Sequence, residues 1–173
     1  MNLDWLARKH GTDKSLSSHG YTVIYEQVLG AHRDKIHSLL ELGISDGASL
    51  RMWKDWLPNA TIYGVDISDS SLDAPFVTYK IEQTDEQKLK DTFHDKYLQV
   101  IIDDCSHDPE KTLRSLEILF PLLENEGWYV IEDMDPSNFP AIMATWMAQH
   151  REIKSVQFFM DRGGGSWIIF IRK

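Results

Sequence analysis

Apolar and polar positions along this chain switch between two periods. Short continuous apolar runs, "IHSLLEL" (36–42), "ATIYGVDI" (60–67), "APFVTYKI" (74–81) and "LQVIIDD" (98–104), have the length and β-branched content of strands. "GWYVIED" (127–133) is a fifth, and "KSVQFFMDRGGGSWIIFIRK" (154–173) reads as two more strands folded into a hairpin around Gly163, Gly164 and Gly165. Between them, "ASLRMWKDWL" (48–57) spaces Leu50, Trp53 and Leu57 for one helical face, and "TDEQKLKDTFHDKY" (84–97) and "PAIMATWMAQH" (140–150) are also helical. Asp108 followed by Pro109 is an N-cap and first helical position, with Leu113, Leu116, Phe120 and Leu123 as the core stripe behind them. The stretch "SDSSLD" (68–73) is too short for a helix of normal length, so one crossover is abbreviated.

Alternation of this kind predicts an α/β fold. The expected form is a doubly wound, mostly parallel, seven-stranded Rossmann-like sheet with an antiparallel C-terminal hairpin. Ligands in such sheets bind beyond the carboxyl ends of the strands. Gly43, Asp66, Asp104 and Glu132 each close or follow a separate apolar run, so the topology brings all four to one rim. Trp5, Trp53, Trp56 and Trp128 lie on apolar faces and are expected in the core.

The totals narrow the class. A chain of 173 residues is expected to form one domain over 1–173. Its 42% hydrophobic content suits a soluble globular protein, and no apolar run reaches the ~20 residues of a membrane helix. The start, "MNLDWLARKHGTDK", has no apolar leader, and a single cysteine fits a reducing compartment, so a cytoplasmic location is expected. Net charge −9 argues against a nucleic-acid partner, which needs a basic patch. No membrane partner is expected either, and a homo-oligomer is left open.

Two groups of residues carry chemistry. "LLELGISDGASL" sets Glu41, Gly43 and Gly47 between a strand and a helix, where glycine allows a tight turn and close ligand approach. The middle glycine of the dinucleotide fingerprint is missing, and no tyrosine is followed by lysine four positions on, so a dehydrogenase is disfavoured. Asp66 ends the next strand, in register to accept hydrogen bonds from ribose hydroxyls. In the second group, Asp104, Glu132 and Asp133 converge at the rim. Three carboxylates there repel one another unless a cation neutralises them, and hard oxygen donors favour Mg²⁺; otherwise they are solvated helix caps. His107, three residues after Asp104 and just before a helix, is placed to act as a general base.

The glycine turn with "YGVDIS" resembles class I S-adenosylmethionine-dependent methyltransferases. The combination "IDDCSH … VIED", preceded by "HGTDKSLSSHGYTVIYE", resembles one branch of them: the metal-dependent sugar O-methyltransferases of macrolide and rhamnosyl-polyketide biosynthesis. The likeness runs from about Lys9 to the last strand. It implies the Gly43 loop against the methionine part of S-adenosyl-L-methionine, Asp66 on the ribose, and Gln83 and Thr84 near the base. A helix cap is the other reading of Gln83 and Thr84. It further implies Asp104, Glu132 and Asp133 as Mg²⁺ ligands and His107 as base. Residues 1–30 would form an N-terminal helical lid over the cofactor, with Thr12, Lys14, His19 and Tyr21 as candidates; an ordinary helix connection is the other reading of these four. The acceptor would be a hydroxyl of a small molecule or glycan. Cys105 departs from the family's usual glycine, and no counterpart of the larger relatives' extra N-terminal domain is expected, so acceptor and assembly are not carried over. A catechol-type methyltransferase, which normally uses a lysine base, and a non-catalytic cofactor-binding subunit are the alternatives.

Overall fold

A computed structural model describes residues 2–68, 75–137 and 139–173. Seven strands form one sheet: β1 (Ser38–Leu42), β2 (Thr61–Asp66), β3 (Phe76–Lys80), β4 (Leu98–Asp103), β5 (Leu123–Met134), β6 (Ser155–Met160) and β7 (Trp167–Arg172). Their order is β3-β2-β1-β4-β5-β7-β6. The first five strands pair in parallel, and β7 pairs antiparallel with both β5 and β6. The chain reverses its winding between β1 and β4, the place where open α/β sheets leave a crevice.

Alternation along each strand divides the core into two layers. Leu39, Ile62, Val100, Ile102, Val130 and Phe170 face one side of the sheet. They pack against α1 (Leu3–His10), α2 (Tyr21–Leu29) and α3 (Ala48–Trp56). Leu40, Val65, Ile101, Tyr129, Ile131 and Ile169 face the other side, under α4 (Glu86–Phe93), α5 (Pro109–Leu119) and α6 (Phe139–Gln149). The N-terminal segment is therefore helical and is part of a core layer, with Leu3, Leu6, Tyr21 and Tyr25 fully buried.

Local chemistry accounts for the helix ends. Asp108 accepts from the amides of Glu110 and Lys111 at 3.1 and 3.0 Å, with Pro109 in the first turn, an arrangement worth about 1 kcal/mol. The expected stripe largely holds: Leu116, Phe120 and Leu123 are buried and the half-buried Leu113 packs against them, although Phe120 and Leu123 lie past the end of α5, where Thr112, Ser115, Ile118 and Leu119 are also buried. Asp85, rather than Gln83 or Thr84, caps α4. Trp5 is a second correction. It is 55% exposed on α1, with the Lys9 amine 5.6 Å from its ring centre, while Trp53, Trp56 and Trp128 are buried. Of the abbreviated crossover (68–73), residues 69–73 lie outside the described residues.

Candidate functional site

The carboxyl ends of β1, β2 and β4 open into a cleft of about 440 Å³. Thr12, Lys14, Gly43, Asp66, Asp104 and Cys105 are among its lining. A smaller hollow of about 210 Å³ continues past Gly43, Asp66 and Cys105 to Gln83.

Gly43 sits at φ +81°, a conformation natural to glycine. A Cβ there would lie 2.1 Å from the Asp104 carbonyl oxygen and 2.8 Å from Cys105 Cα. The glycine therefore admits the neighbouring β4–α5 loop, in addition to the tight turn that the sequence called for. Asp66 closes that turn: Oδ2 accepts from the amides of Ile44 and Ser45 at 3.0 and 3.1 Å, and Oδ1 from the Ser68 amide and hydroxyl. Burial works to raise the Asp66 pKa, but the bonds from Ser68, Ser45 and Ile44 outweigh it and hold the carboxyl below its ordinary value. Gln83 is buried. Its carbonyl oxygen accepts from the Ser106 amide at 3.3 Å, whereas its side-chain N–H₂ is buried, has no partner among the described residues and borders the hollow.

Other expected cofactor residues stand elsewhere. Glu41 is wholly buried beneath the cleft, where Ser49 Oγ donates to it at 2.7 Å and the Lys14 amine lies 3.4 Å away. Gly47, at φ +80°, is the left-handed residue that starts α3. Thr84 turns its hydroxyl and amide onto Glu82. Thr12 does line the cleft, at its N-terminal wall.

At the acidic end, Asp104, His107 and Asp133 each offer a ligand atom, all within 4.8 Å of one another. His107 Nε2 is 3.9 Å from Asp104 Oδ1. Both His107 (φ +54°) and Asp133 (φ +55°) occupy left-handed backbone, which is uncommon for non-glycine residues although Asp and His adopt it more readily than most. Glu132, the third expected ligand, is buried next to this group with both oxygens engaged. Tyr25 donates to Oε1 at 2.5 Å and the Lys14 amine to Oε2 at 2.6 Å. Lys14 also meets Asp104 Oδ2 at 2.5 Å. Burial alone would lower the Lys14 pKa, but Asp104, Glu132 and Glu41 hold it well above the ordinary lysine value. Asp133 Oδ1 accepts from Tyr21 at 2.5 Å and from Ser166 at 3.0 Å, with His19 Nδ1 3.4 Å away.

Asp103, the acid directly before Asp104, faces the opposite core layer, where Ser115 and Tyr129 donate to it. Burial first of all pushes its pKa up to about 6. The Cys105 thiol is likewise pushed up, to about 12, chiefly by burial, which makes it a poor nucleophile. Cys105 is not among the positive-φ residues, so the backbone at this position does not call for glycine.

Sequence reasoning missed Tyr25 and Ser166, and listed Lys14 and Tyr21 only as lid residues. A signal was present for the tyrosines. Tyr21 and Tyr25 are one helical turn apart on a single face, and they meet the consecutive acids Asp133 and Glu132.

No protein-family model matches the chain. It is 36% identical over 152 residues to the 8-demethyl-8-alpha-L-rhamnosyl tetracenomycin-C 2'-O-methyltransferase of Streptomyces olivaceus, covering 82% of this chain and 40% of that protein. It is 36% identical over 148 residues to the L-olivosyl-oleandolide 3-O-methyltransferase of Streptomyces antibioticus, covering 80% and 38%. For the mycinamicin VI 2''-O-methyltransferase of Micromonospora griseorubida the identity is 33%, with 80% and 37% covered. Among solved structures, it matches the MycE methyltransferase of the mycinamycin biosynthetic pathway, in complex with Mg, SAH and mycinamycin VI. The TM-score is 0.86 at 26% identity, covering 99% of this chain and 54% of that one. The resemblance to sugar O-methyltransferases of polyketide and macrolide pathways thus holds in sequence and in fold. The chain spans about two fifths of the length of these curated relatives.

Proposed function

We propose that this chain is an S-adenosyl-L-methionine- and Mg²⁺-dependent O-methyltransferase acting on a hydroxyl of a sugar or glycosylated metabolite. The observation that carries the reading is the junction of two half-sites: the Asp104–His107–Asp133 group adjoins the cleft between Gly43 and Asp66. The residues fit both ligands. Gln83 offers at the adenine end a buried N–H₂ with no partner among the described residues, and the acidic end offers hard oxygen donors. Asp104 and Asp133 would hold the cation, with Glu132, now on Lys14 and Tyr25, as the third carboxylate. When bound, the cofactor supplies an activated methyl group and the cation lowers the pKa of the hydroxyl that receives it.

The remaining work falls to this chain's own side chains. His107, partly exposed at the mouth of the site, takes the acceptor's proton on an imidazole nitrogen. Tyr21 and Ser166 fix the Asp133 carboxylate, and Tyr25 fixes Glu132. The Gly43 contact keeps the Asp104 loop against the cofactor turn, so the two reactants meet in a set geometry. Lys14 is no rival base of the catechol type. It is 1% exposed, and three carboxylates keep it protonated.

The reading is tested by incubating the protein with labelled S-adenosyl-L-methionine and a panel of rhamnosylated and macrolide-linked sugars, with Mg²⁺ or with chelator. Transfer that needs Mg²⁺ is the expected result. Transfer undiminished by chelation removes the metal from the mechanism. Cofactor binding with no cation binding returns the chain to a non-catalytic subunit.

A further inference from the structure

Lys14 has no part in the chemistry proposed above, yet it is a fully enclosed cation at the site. Its side chain is 1% exposed. An ammonium has three N–H donors, and here three carboxylates surround it: Asp104 at 2.5 Å, Glu132 at 2.6 Å and Glu41 at 3.4 Å. Two of these are proposed cation ligands. Its own loop, with Gly11, Thr12 and Asp13, forms the wall of the cofactor cleft facing Gly43 and Asp66.

We infer that Lys14 is a built-in counter-cation, which ties the cofactor-binding loop to the acidic end when no divalent cation is bound and competes with that cation for Asp104 and Glu132. The inference rests on the cation site proposed above. Buried carboxylates this close repel one another strongly without a positive charge between them. The ammonium supplies that charge, so the N-terminal wall of the cleft is in place before any metal arrives. The same ammonium opposes an incoming divalent cation, because like charges would then share the same oxygens. Lys14 is thus a positioning residue. It makes cofactor binding independent of metal and weakens metal binding.

Calorimetry on wild type and Lys14→Met tests both halves, with thermal unfolding as a check on folding. Wild type should bind S-adenosylhomocysteine equally well in chelator and in Mg²⁺. Lys14→Met should bind it at least tenfold more weakly in chelator and recover most of that loss in Mg²⁺, which a merely structural role of Lys14 would not produce. Mg²⁺ itself should bind Lys14→Met at least tenfold more tightly than wild type. Unchanged Mg²⁺ affinity, or a cofactor loss that Mg²⁺ does not repair, overturns the inference and leaves the cation site standing. If Lys14→Met does not fold, Glu132→Gln is compared with the Lys14→Met/Glu132→Gln double variant, which removes base and acid together. The double variant should bind Mg²⁺ at least tenfold more tightly, and equal affinity overturns the inference. Absence of Mg²⁺ binding in wild type and every variant overturns the inference and the cation site alike.

Discussion

At the cofactor end of the cleft, the carboxylate that shapes the site finds its partners close by in the chain. Asp66 takes amides 22 and 21 positions away and the Ser68 amide two positions on, almost all of it backbone. At the acidic end the partners are side chains from the opposite end of the sequence. Lys14 reaches Asp104 and Glu132 across 90 and 118 positions, and Tyr21 and Tyr25 reach Asp133 and Glu132 across 112 and 107. A turn made of backbone amides tolerates many side chains around it. A cluster of buried acids stays in place only if each distant donor remains. The two ends should therefore respond differently to substitution.

The largest separation between them is expected at His107. Removing a positioned general base costs ~10²–10⁴ in rate, so His107→Ala should lose turnover on that scale while S-adenosylhomocysteine affinity stays at the wild-type value. Steady-state rates and calorimetry on the same preparation check this. A variant within a few-fold of wild type would show that the proton leaves by another route, and Asp103, enclosed in the opposite core layer, is badly placed to provide it.

Gly43 tests the opposite case, a position where the two ends are joined. Gly43→Ala forces a Cβ against the Asp104 carbonyl at 2.1 Å from a backbone at φ +81°. Strain and overpacking together should cost about 3 kcal/mol or more. Denaturant unfolding measures it. The variant that folds should lose cofactor and cation affinity together, and loss of only one would break the claim that this contact couples them.

This division also explains what was legible in the sequence. Strand order, the hairpin and the rim were readable because apolar runs and turn residues are local signals, and Asp66 and Gly43 inherit that locality. Gly43 was found for an incomplete reason: the turn is local, but the carbonyl that fills its Cβ position comes from the loop after β4. Glu132 could be assigned to the rim but not paired, because its partners lie on α2 and on the loop before it. Trp5 was misplaced because an aromatic ring on a short helix looks the same facing core or solvent, and only packing against α3 decides which face is inward.

Asp103 and Asp104 provide a comparison within one dipeptide. Asp104 faces the cleft and is paired with Lys14; among the described residues Asp103 has no ion-pair partner, its bonds coming from Ser115, Tyr129 and the Cys105 backbone. With its folded pKa pushed by burial up to about 6, Asp103 binds its proton more tightly in the folded state than in the unfolded chain, where a carboxyl titrates near ~3.9. The stability it contributes is thus fully present below about pH 4 and is lost as pH rises through about 6, a change on the order of 3 kcal/mol. Urea unfolding in chelator between pH 4 and 7 should show a steeper decline in wild type than in Asp103→Asn, which keeps only the contributions of Glu41 and Glu132. Equal slopes for the two proteins would mean that Asp103 is better solvated than its surroundings indicate.

The smallest expected effect lies at the cofactor end itself. Asp66→Asn keeps the shape but leaves one acceptor oxygen where the carboxylate had two, and these now serve Ile44, Ser45 and Ser68. The amide nitrogen that replaces the other oxygen points a donor at backbone donors. Hydrogen bonds to a charged group contribute about 1.5–3 kcal/mol, part of it here to the turn and part, on the proposed reading, to the ribose. Cofactor affinity should fall about tenfold by calorimetry, and Mg²⁺ affinity should not change, because no oxygen of Asp66 touches the acidic cluster. Parallel losses of both would mean that the turn and the acidic end are one cooperative unit, and the contrast between them would then hold for the hydrogen-bond partners but not for the energetics.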